Sequence, residues 1–336
     1  MFRLAHLSDA HLGPLPDVTY RELASKRVIG YINWQKNRRR HMQDAVIDTI
    51  IDDMKAHAPD HIAVTGDLVN LALDAEISRA RQWLEALGSP SHVSVVPGNH
   101  DAYVPGAFVK ACHAWGPWMS GDGQKTPVDQ HSFPYLRVRG QVALIGVSTA
   151  RATAPFMANG YLYEAQGRRL ADLLEATRAR GLCRVVMIHH PPVRGAVKQH
   201  KRLFGIGHFA RIMARQGAEL VLHGHSHLPT LHHIAGVDGM VPVVGVAAAG
   251  QAPGTKRPPA QYNLIDIEAD GSNWRFRLTR RGLEGAGLSL ERRASYRAHK
   301  GRSNTLNEHR NNPKTDSTFW SDALVDLEVL DLSAAR

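Results

Sequence analysis

The sequence predicts an α/β protein with helices packed outside more than one sheet. Two patterns predict it: short apolar, β-rich runs alternate with stretches of helical period, and the polar motifs that stand out each follow an apolar run. Residues 2–8 read as the first strand. Across residues 42–57, Met42, Val46, Ile47, Ile50, Ile51 and Met54 fall on one helical stripe. Residues 61–65 form the next strand, and 76–87 a helix stopped by Gly88-Ser89-Pro90. Residues 92–96 read as a strand closed by Pro97-Gly98, and 142–148 as another. Residues 164–180 read as a helix with Leu170, Leu173, Leu174 and Thr177 on one side and Gly181 as its C-terminal cap. A buried strand at 184–189, a helix at 209–216 and a strand at 219–223 follow. Strands at 241–249, 262–268 and 274–279 complete the pattern, which fails from about residue 285.

The chain of 336 residues suits one large domain with extensions, and a 43% hydrophobic content supplies its core. Its 41 Lys and Arg against 31 Asp and Glu leave a net charge of +10. That balance favours an anionic partner: a phosphorylated small molecule, a nucleic acid or an anionic membrane surface. A merely solvated basic face gives the same balance. The two cysteines, Cys112 and Cys183, exclude a disulfide framework and a cysteine-type zinc site, and agree with a reducing compartment. The first residues turn polar too quickly for a signal peptide. No apolar run approaches the ~20 residues that span a bilayer. A cytoplasmic protein is therefore expected, with peripheral contact at the inner face of a membrane left open.

The chemistry gathers in five motifs after apolar runs: Asp9-Ala10-His11, Gly66-Asp67 with Asn70 following, Gly98-Asn99-His100-Asp101, His189-His190-Pro191-Pro192 and Gly224-His225-Ser226-His227. Carboxylate oxygen, amide oxygen and neutral imidazole nitrogen suit manganese, iron, cobalt, nickel or zinc. Positions i and i+2 of an extended segment point the same way, so Asp9 with His11, and His225 with His227, can share an ion. Gly66, Gly98 and Gly224 let the chain turn as it leaves each strand. Each motif alone reads equally as a cap, a turn or a surface histidine; their joint order carries the signal.

In that order they resemble the calcineurin-like metallophosphoesterase superfamily, with its pattern D-x-H, G-D, G-N-H-[DE], H, G-H-x-H, over about residues 1–280. The resemblance implies a four-layer α/β/β/α sandwich of two mixed sheets flanked by helices, with two divalent metal ions at one edge. It implies that Asp9, His11, Asp67 and His227 hold one ion and Asp67, Asn99, His189 and His225 the other, Asp67 bridging. It places His189 rather than His190 at the strand end as the ligand. Two such ions, about 3.5–4 Å apart, make water nucleophilic near neutral pH and clamp the phosphoryl oxygens. It further implies that His100 stabilises the transition state or protonates the leaving oxygen. Asp101 can orient the His100 imidazole or serve as a helix N-cap.

A phosphoesterase domain is expected over residues 1–284, with a basic insertion at 18–41 that carries Tyr31 and Trp34. A basic, then acidic, flexible tail is expected at 285–336, in which 317–332 can be a docking helix. The segment 193–216 holds Arg194, Lys198, Lys201, Arg202, Arg211 and Arg215 with no acid, and should overhang the metals. The leading expectation is a phosphodiesterase with manganese as the favoured metal. His-His-Pro-Pro and Gly-Asn-His-Asp resemble the bacterial cyclic-nucleotide phosphodiesterase branch. The alternatives are a pyrophosphatase of nucleotide-linked lipid A precursors, whose best-known family has Gly-Asn-Arg-Asp instead; a nuclease, without a clear DNA-binding module; and a non-catalytic metal-binding scaffold.

Overall fold

The computed structural model describes residues 1–38, 44–271, 273–284, 287–288 and 292–299. The first half runs β1 (Phe2–Leu7), α1 (Tyr20–Leu23), α2 (Arg27–Asn33), α3 (Asp44–Ala56), β2 (His61–Val64), α4 (Asp74–Leu87), β3 (Val93–Val95), α5 (Ala107–Trp115), β4 (Tyr135–Arg139) and β5 (Val142–Val147). The second half runs β6 (Gly160–Tyr161), α6 (Glu164–Ala179), β7 (Cys183–Ile188), β8 (Leu203–Phe204), α7 (Ile206–Gln216), β9 (Leu220–His223), β10 (Leu231–Gly236), β11 (Gly239–Gly245), β12 (Gln261–Asp270), β13 (Asn273–Glu284), β14 (Gly287–Leu288) and β15 (Arg292–His299).

Two large mixed sheets result. One has the order β14-β13-β12-β1-β2-β3, with β15 also on β13; the other has the order β10-β11-β9-β7-β5-β4. β1, β2 and β3 are parallel neighbours in the first sheet, and β5, β7, β9 and β11 in the second. The strand period explains the layers. On β7, Cys183, Val185 and Met187 join the core shared with the first sheet, while Val186 and Ile188 join Leu170 and Leu174 of α6 and Phe209 and Met213 of α7. A strand buried on both faces reads as the continuous apolar run the sequence contains. Val46, Ile47, Ile50 and Met54 of α3 join the core with the first sheet, and Ile51 is partly buried there. Met42 lies outside the described residues. Gly181 follows α6 with φ +66° and donates its amide to the Arg178 carbonyl, the left-handed cap expected of it.

Among the elements that escaped the sequence reading are α5, β4 and β10, besides the short strands β6, β8 and β14. On β4 the reason is Arg137, which is buried and donates to the carbonyls of Pro90, Val93, Pro117 and Ser120. A charged residue paired in this way reads as exposed in a one-dimensional pattern.

The first sheet takes up strands beyond the expected boundary at residue 285. Residues 292–299, expected as flexible tail, pair antiparallel with β13 and place Ala294, Tyr296 and Ala298 opposite Leu278, Phe276 and Trp274. Pairing satisfies the outer edge of β13, a gain that local composition does not reveal. Residues 300–336, including the possible docking helix at 317–332, lie outside the described residues.

The described residues of the insertion form α1, α2 and a π-helical turn at Trp34–Arg38. Two of its cations are committed to the protein itself. Lys26 Nζ donates to Thr153 Oγ1 and the Met157 carbonyl, and the Arg27 guanidinium to the carbonyls of Leu71 and Ala72.

Two buried histidines tie neighbouring strands. His61 shares a hydrogen bond with Ser94 Oγ (2.7 Å), and His6 with Thr65 Oγ1 (2.9 Å). Burial pushes both imidazoles down to about 3. The unfolded chain titrates near 6.5, so it binds protons that the fold refuses. Their contribution is full above about pH 6.5 and is lost as pH falls toward 3. His61→Gln, which keeps a partner for Ser94, is expected to flatten the fall in stability by about 1.4 kcal/mol per pH unit between about pH 4 and 6. Urea unfolding in EDTA across that range measures it; parallel slopes for the two proteins would count against the account.

Candidate metal centre

The motifs meet because their strands run the same way. Asp9 and His11 follow β1, Asp67 follows β2, and Asn99 and His100 follow β3. His189 follows β7, and His225 and His227 follow β9. These are parallel neighbours in their sheets, so their C-terminal ends share one rim, where α/β folds place ligands.

Five of the seven expected ligands have left-handed backbone: Asp9 (φ 54°), His11 (44°), Asp67 (56°), His225 (64°) and His227 (56°). This corrects the extended-segment argument, because Asp9 and His11 are not paired by strand alternation. Their loop instead lies along the Asp67 loop, with Asp9 N bonded to Gly66 O (2.9 Å) and His11 N to Asp67 O (3.0 Å). Non-glycine residues in this region cost energy and cluster at functional sites. Gly98 and Gly224 act by close approach rather than by turning. A Cβ at Gly98 would collide with Asp67 Oδ1, and one at Gly224 with Ser8 Oγ and Asp9 Oδ2.

Among the described residues, four sets of ligand atoms converge, each within 4.8 Å: Asp9-His11-His227, Asp9-Asp67-His189, His11-Asp67-His100 and His189-His190-His225. Asp67 lies between the halves, its Oδ2 3.4 Å from His189 Nε2 and 3.9 Å from His11 Nε2. Asn99 Oδ1 is 3.2 Å from His189 Nε2, and Asp9 Oδ1 is 3.1 Å from His227 Nε2. The ring of His225 lies 5.1 Å from that of His189.

The donor set fits cations. Asp9 Oδ1 is buried and faces only the His227 imidazole (3.1 Å), with no backbone amide on it, a costly state for a carboxylate oxygen. His11 Nδ1 and His189 Nδ1 donate to the carbonyls of Val69 (3.1 Å) and Thr65 (2.6 Å). This turns each Nε2 toward the carboxylates, an arrangement common in metal-binding histidines. Burial would lower His189, but the Asp67 and Asp9 carboxylates push it up to about 9, a demand for positive charge that a metal ion also meets. Asp67 shows the counterpart: burial raises it, yet the imidazoles of His189, His100 and His11 hold it well below the usual carboxylate range. His227 is arranged differently. Arg257 Nη1 donates to its Nδ1 (2.6 Å), so a hydrogen sits on Nε2. A cation on Nε2 would displace that hydrogen and release Arg257.

His100 is half-buried. Its Nδ1 donates to the Asn70 carbonyl (2.6 Å), its ring stacks on Tyr103, and it meets His11 edge-on. Asp101 does not orient it. The Asp101 carboxylate is fully buried and accepts from the amides of Asp67, Leu68, Val69 and Gly98 at 2.7–3.3 Å. Asp101 is thus the clasp between the second and third motif loops, because those unpaired amides surround it and the His100 ring nitrogen is held elsewhere. Burial and the nearby Asp67 carboxylate push it up to about 7. His190 supports the cluster: its ring nitrogens meet Thr149 Oγ1 and the Ala158 carbonyl, and its ring packs on His225.

Sequence reasoning missed Glu76, Arg257 and Tyr103. Buried Glu76 accepts from the amides of Asn70, Leu71 and Leu73 and shapes the loop after Asp67. Its one available signal was its place at the third position of a helix, where a carboxylate reaches back to free amides. Arg257 carries no such signal, being 30 residues from the histidine it meets.

Two mixed sheets, flanked by helices and with carboxylates and imidazoles gathered at one rim, define the class: an α/β sandwich built around a site that fits metal ions. The calcineurin-like phosphoesterase family matches residues 2–229, and the chain belongs to it. The protein is a metal-dependent phosphohydrolase with a phosphorylated substrate. It is 26% identical over 235 residues to a probable cyclic nucleotide phosphodiesterase of Synechococcus sp., covering 68% of this chain and 80% of that protein. In fold it is similar to a dimetal phosphatase from Danio rerio, with 12% identity, a TM-score of 0.56, and coverage of 89% of this chain and 99% of the other. It is also similar in fold to a purple acid phosphatase from yellow lupin, Lupinus luteus, with 15% identity, a TM-score of 0.51, and coverage of 89% and 53%. Among the described residues no helix is long and apolar enough to cross a membrane.

Proposed function

We propose that the protein is a phosphodiesterase that uses two divalent ions, with manganese the favoured metal. The carrying observation is Asp67, whose single oxygen Oδ2 approaches His189 of one half and His11 of the other. The similarity to a probable cyclic nucleotide phosphodiesterase supports a diester substrate. Asp9, His11, Asp67 and His227 would hold one ion, and Asp67, Asn99, His189 and His225 the second. Ions bound there supply an acidic water and neutralise charge on the phosphoryl oxygens.

The chain's own residues complete the chemistry. His225 is oriented by the Lys201 carbonyl, 2.9 Å from its Nε2, which leaves Nδ1 for an ion. His100, fixed by Asn70 and Tyr103, presents Nε2 beside the cluster and carries a proton to the leaving oxygen. Turnover of bis(p-nitrophenyl) phosphate and of cyclic nucleotides by the manganese-loaded protein is the test. Hydrolysis of phosphomonoesters or anhydrides alone would overturn the diester reading. His100→Ala is expected to keep its metal, counted by mass spectrometry, and to lose on the order of 10²–10⁴-fold in turnover. Loss of metal in that variant would end the division of roles.

A further inference from the structure

The segment 193–216 contains no acid, and three of its arginines, Arg194, Arg202 and Arg211, gather at the start of α7. A cleft of about 340 Å³ is lined by Arg194, Arg202, Phe204 and the turn Gly205–Gly207 that opens α7. Arg194 Nη2 and Arg211 Nη1 lie 3.7 and 3.8 Å from where a Cβ of Gly207 would stand, so two guanidinium groups flank the first turn of the helix. Arg202 lies over the Phe204 ring (4.7 Å), and its Nε is buried with no hydrogen-bond partner. No ion pair forms between these three arginines and any acid among the described residues.

The helix adds to the same charge. Gly205, left-handed before α7, provides no side-chain cap, and the first turn holds no acid. The first amides of a helix point outward and its dipole favours an anion. Gly207 keeps the approach to those amides open. Converging like charges repel unless an anion joins them. Guanidinium groups and helix amides together suit the tetrahedral oxygens of a phosphate.

Residues that line the cleft are close neighbours in sequence of residues at the metal centre. Arg202 follows Lys201, whose carbonyl meets His225, and Arg194 lies four residues after His190. We propose that the cleft is a phosphate-binding site that takes a second, uncleaved phosphate group of the substrate. The substrate class is then a diester bearing a further phosphate. The substrate part rests on the phosphodiesterase reading above; the binding site itself does not.

Two measurements separate these parts. In the first, inorganic phosphate is titrated against the full chain, before and after chelation with EDTA, and the shift in Tm is followed. After chelation the unaltered protein is expected to show a saturable rise, and Arg194→Gln/Arg202→Gln to need at least tenfold more phosphate for it. The exposed Arg211→Gln, expected to weaken binding several-fold, carries the same test should the double variant fold poorly. No saturable rise in the chelated protein, or an unchanged midpoint in the variants, would overturn the site. In the second, KM of the manganese-loaded protein is compared for a nucleotide diester with and without a terminal phosphate. A tenfold rise in the double variant, confined to the phosphorylated diester, is expected. An unmoved KM together with lost phosphate binding would mean that the cleft holds free phosphate, overturning the substrate assignment. Absence of diester turnover in the unaltered protein would refute the phosphodiesterase reading and leave the chelated titration to judge the cleft.

Discussion

Asp67→Ala is expected to lose both metal ions and to lower turnover by on the order of 10³-fold or more, the scale of removing a charge-stabilising group from a buried reaction site. The carboxylate does three things at once. Oδ1 accepts the amide of His100 at 2.7 Å, fixing the third motif loop. Oδ2 lies between His189 and His11. Its charge balances a group of buried imidazoles that would otherwise stand together unneutralised. Alanine removes all three, so Asp67→Asn is the sharper companion. It keeps the shape and an acceptor for His100 but loses the charge, and it should fold while binding metal poorly. Metal counted by mass spectrometry and turnover of a diester give the reading. Full metal and full turnover in a folded Asp67→Ala protein would refute the dinuclear proposal.

Asp101→Ala is expected to act on stability first. Four buried amides, those of Asp67, Leu68, Val69 and Gly98, lose their acceptor together. A buried donor left unpaired costs about 1–3 kcal/mol. Since the loops can relax and admit water, a net loss on the order of 4 kcal/mol is expected. Two-state urea unfolding of the metal-free protein measures it directly. Asp101→Asn keeps one acceptor oxygen and should lose about half as much, since hydrogen bonds to a neutral group are weaker than those to a carboxylate. This separates the clasp from the role the sequence offered. A residue that only oriented His100 would leave metal-free stability unchanged and alter turnover alone.

Both predictions concern one loop pair, and the pair explains why part of the site was legible in advance. The motif residues announce themselves by type and order. Aspartate, asparagine and histidine directly after buried strands have few other reasons to recur five times. Asp67 was identifiable because it follows a glycine at the end of an apolar run. Asp101 was identifiable as important but not by role, since its partners lie 32–34 residues upstream on another loop, as well as three residues before it. The basic insertion shows the opposite failure. Lys26 and Arg27 look available for a substrate in the sequence, whereas in the fold they donate to Met157, Thr153, Leu71 and Ala72. Charge can be counted from a sequence; whether it is already spent cannot.

The alternation of strands and helices, the family and the set of polar residues at the strand ends are all legible in the order of residues alone. All of these are written in residue type, order and period, which depend on near neighbours along the chain. It took the fold to reveal that β15 continues the sheet, that five expected ligands take left-handed backbone, that Arg257 holds His227, and that Arg194, Arg202 and Arg211 gather at the start of α7. Each of these depends on which strand edges pair and which loops lie side by side. A hydrogen bond or a cluster of like charges between distant segments has no signature until the sheet registers bring those segments within reach.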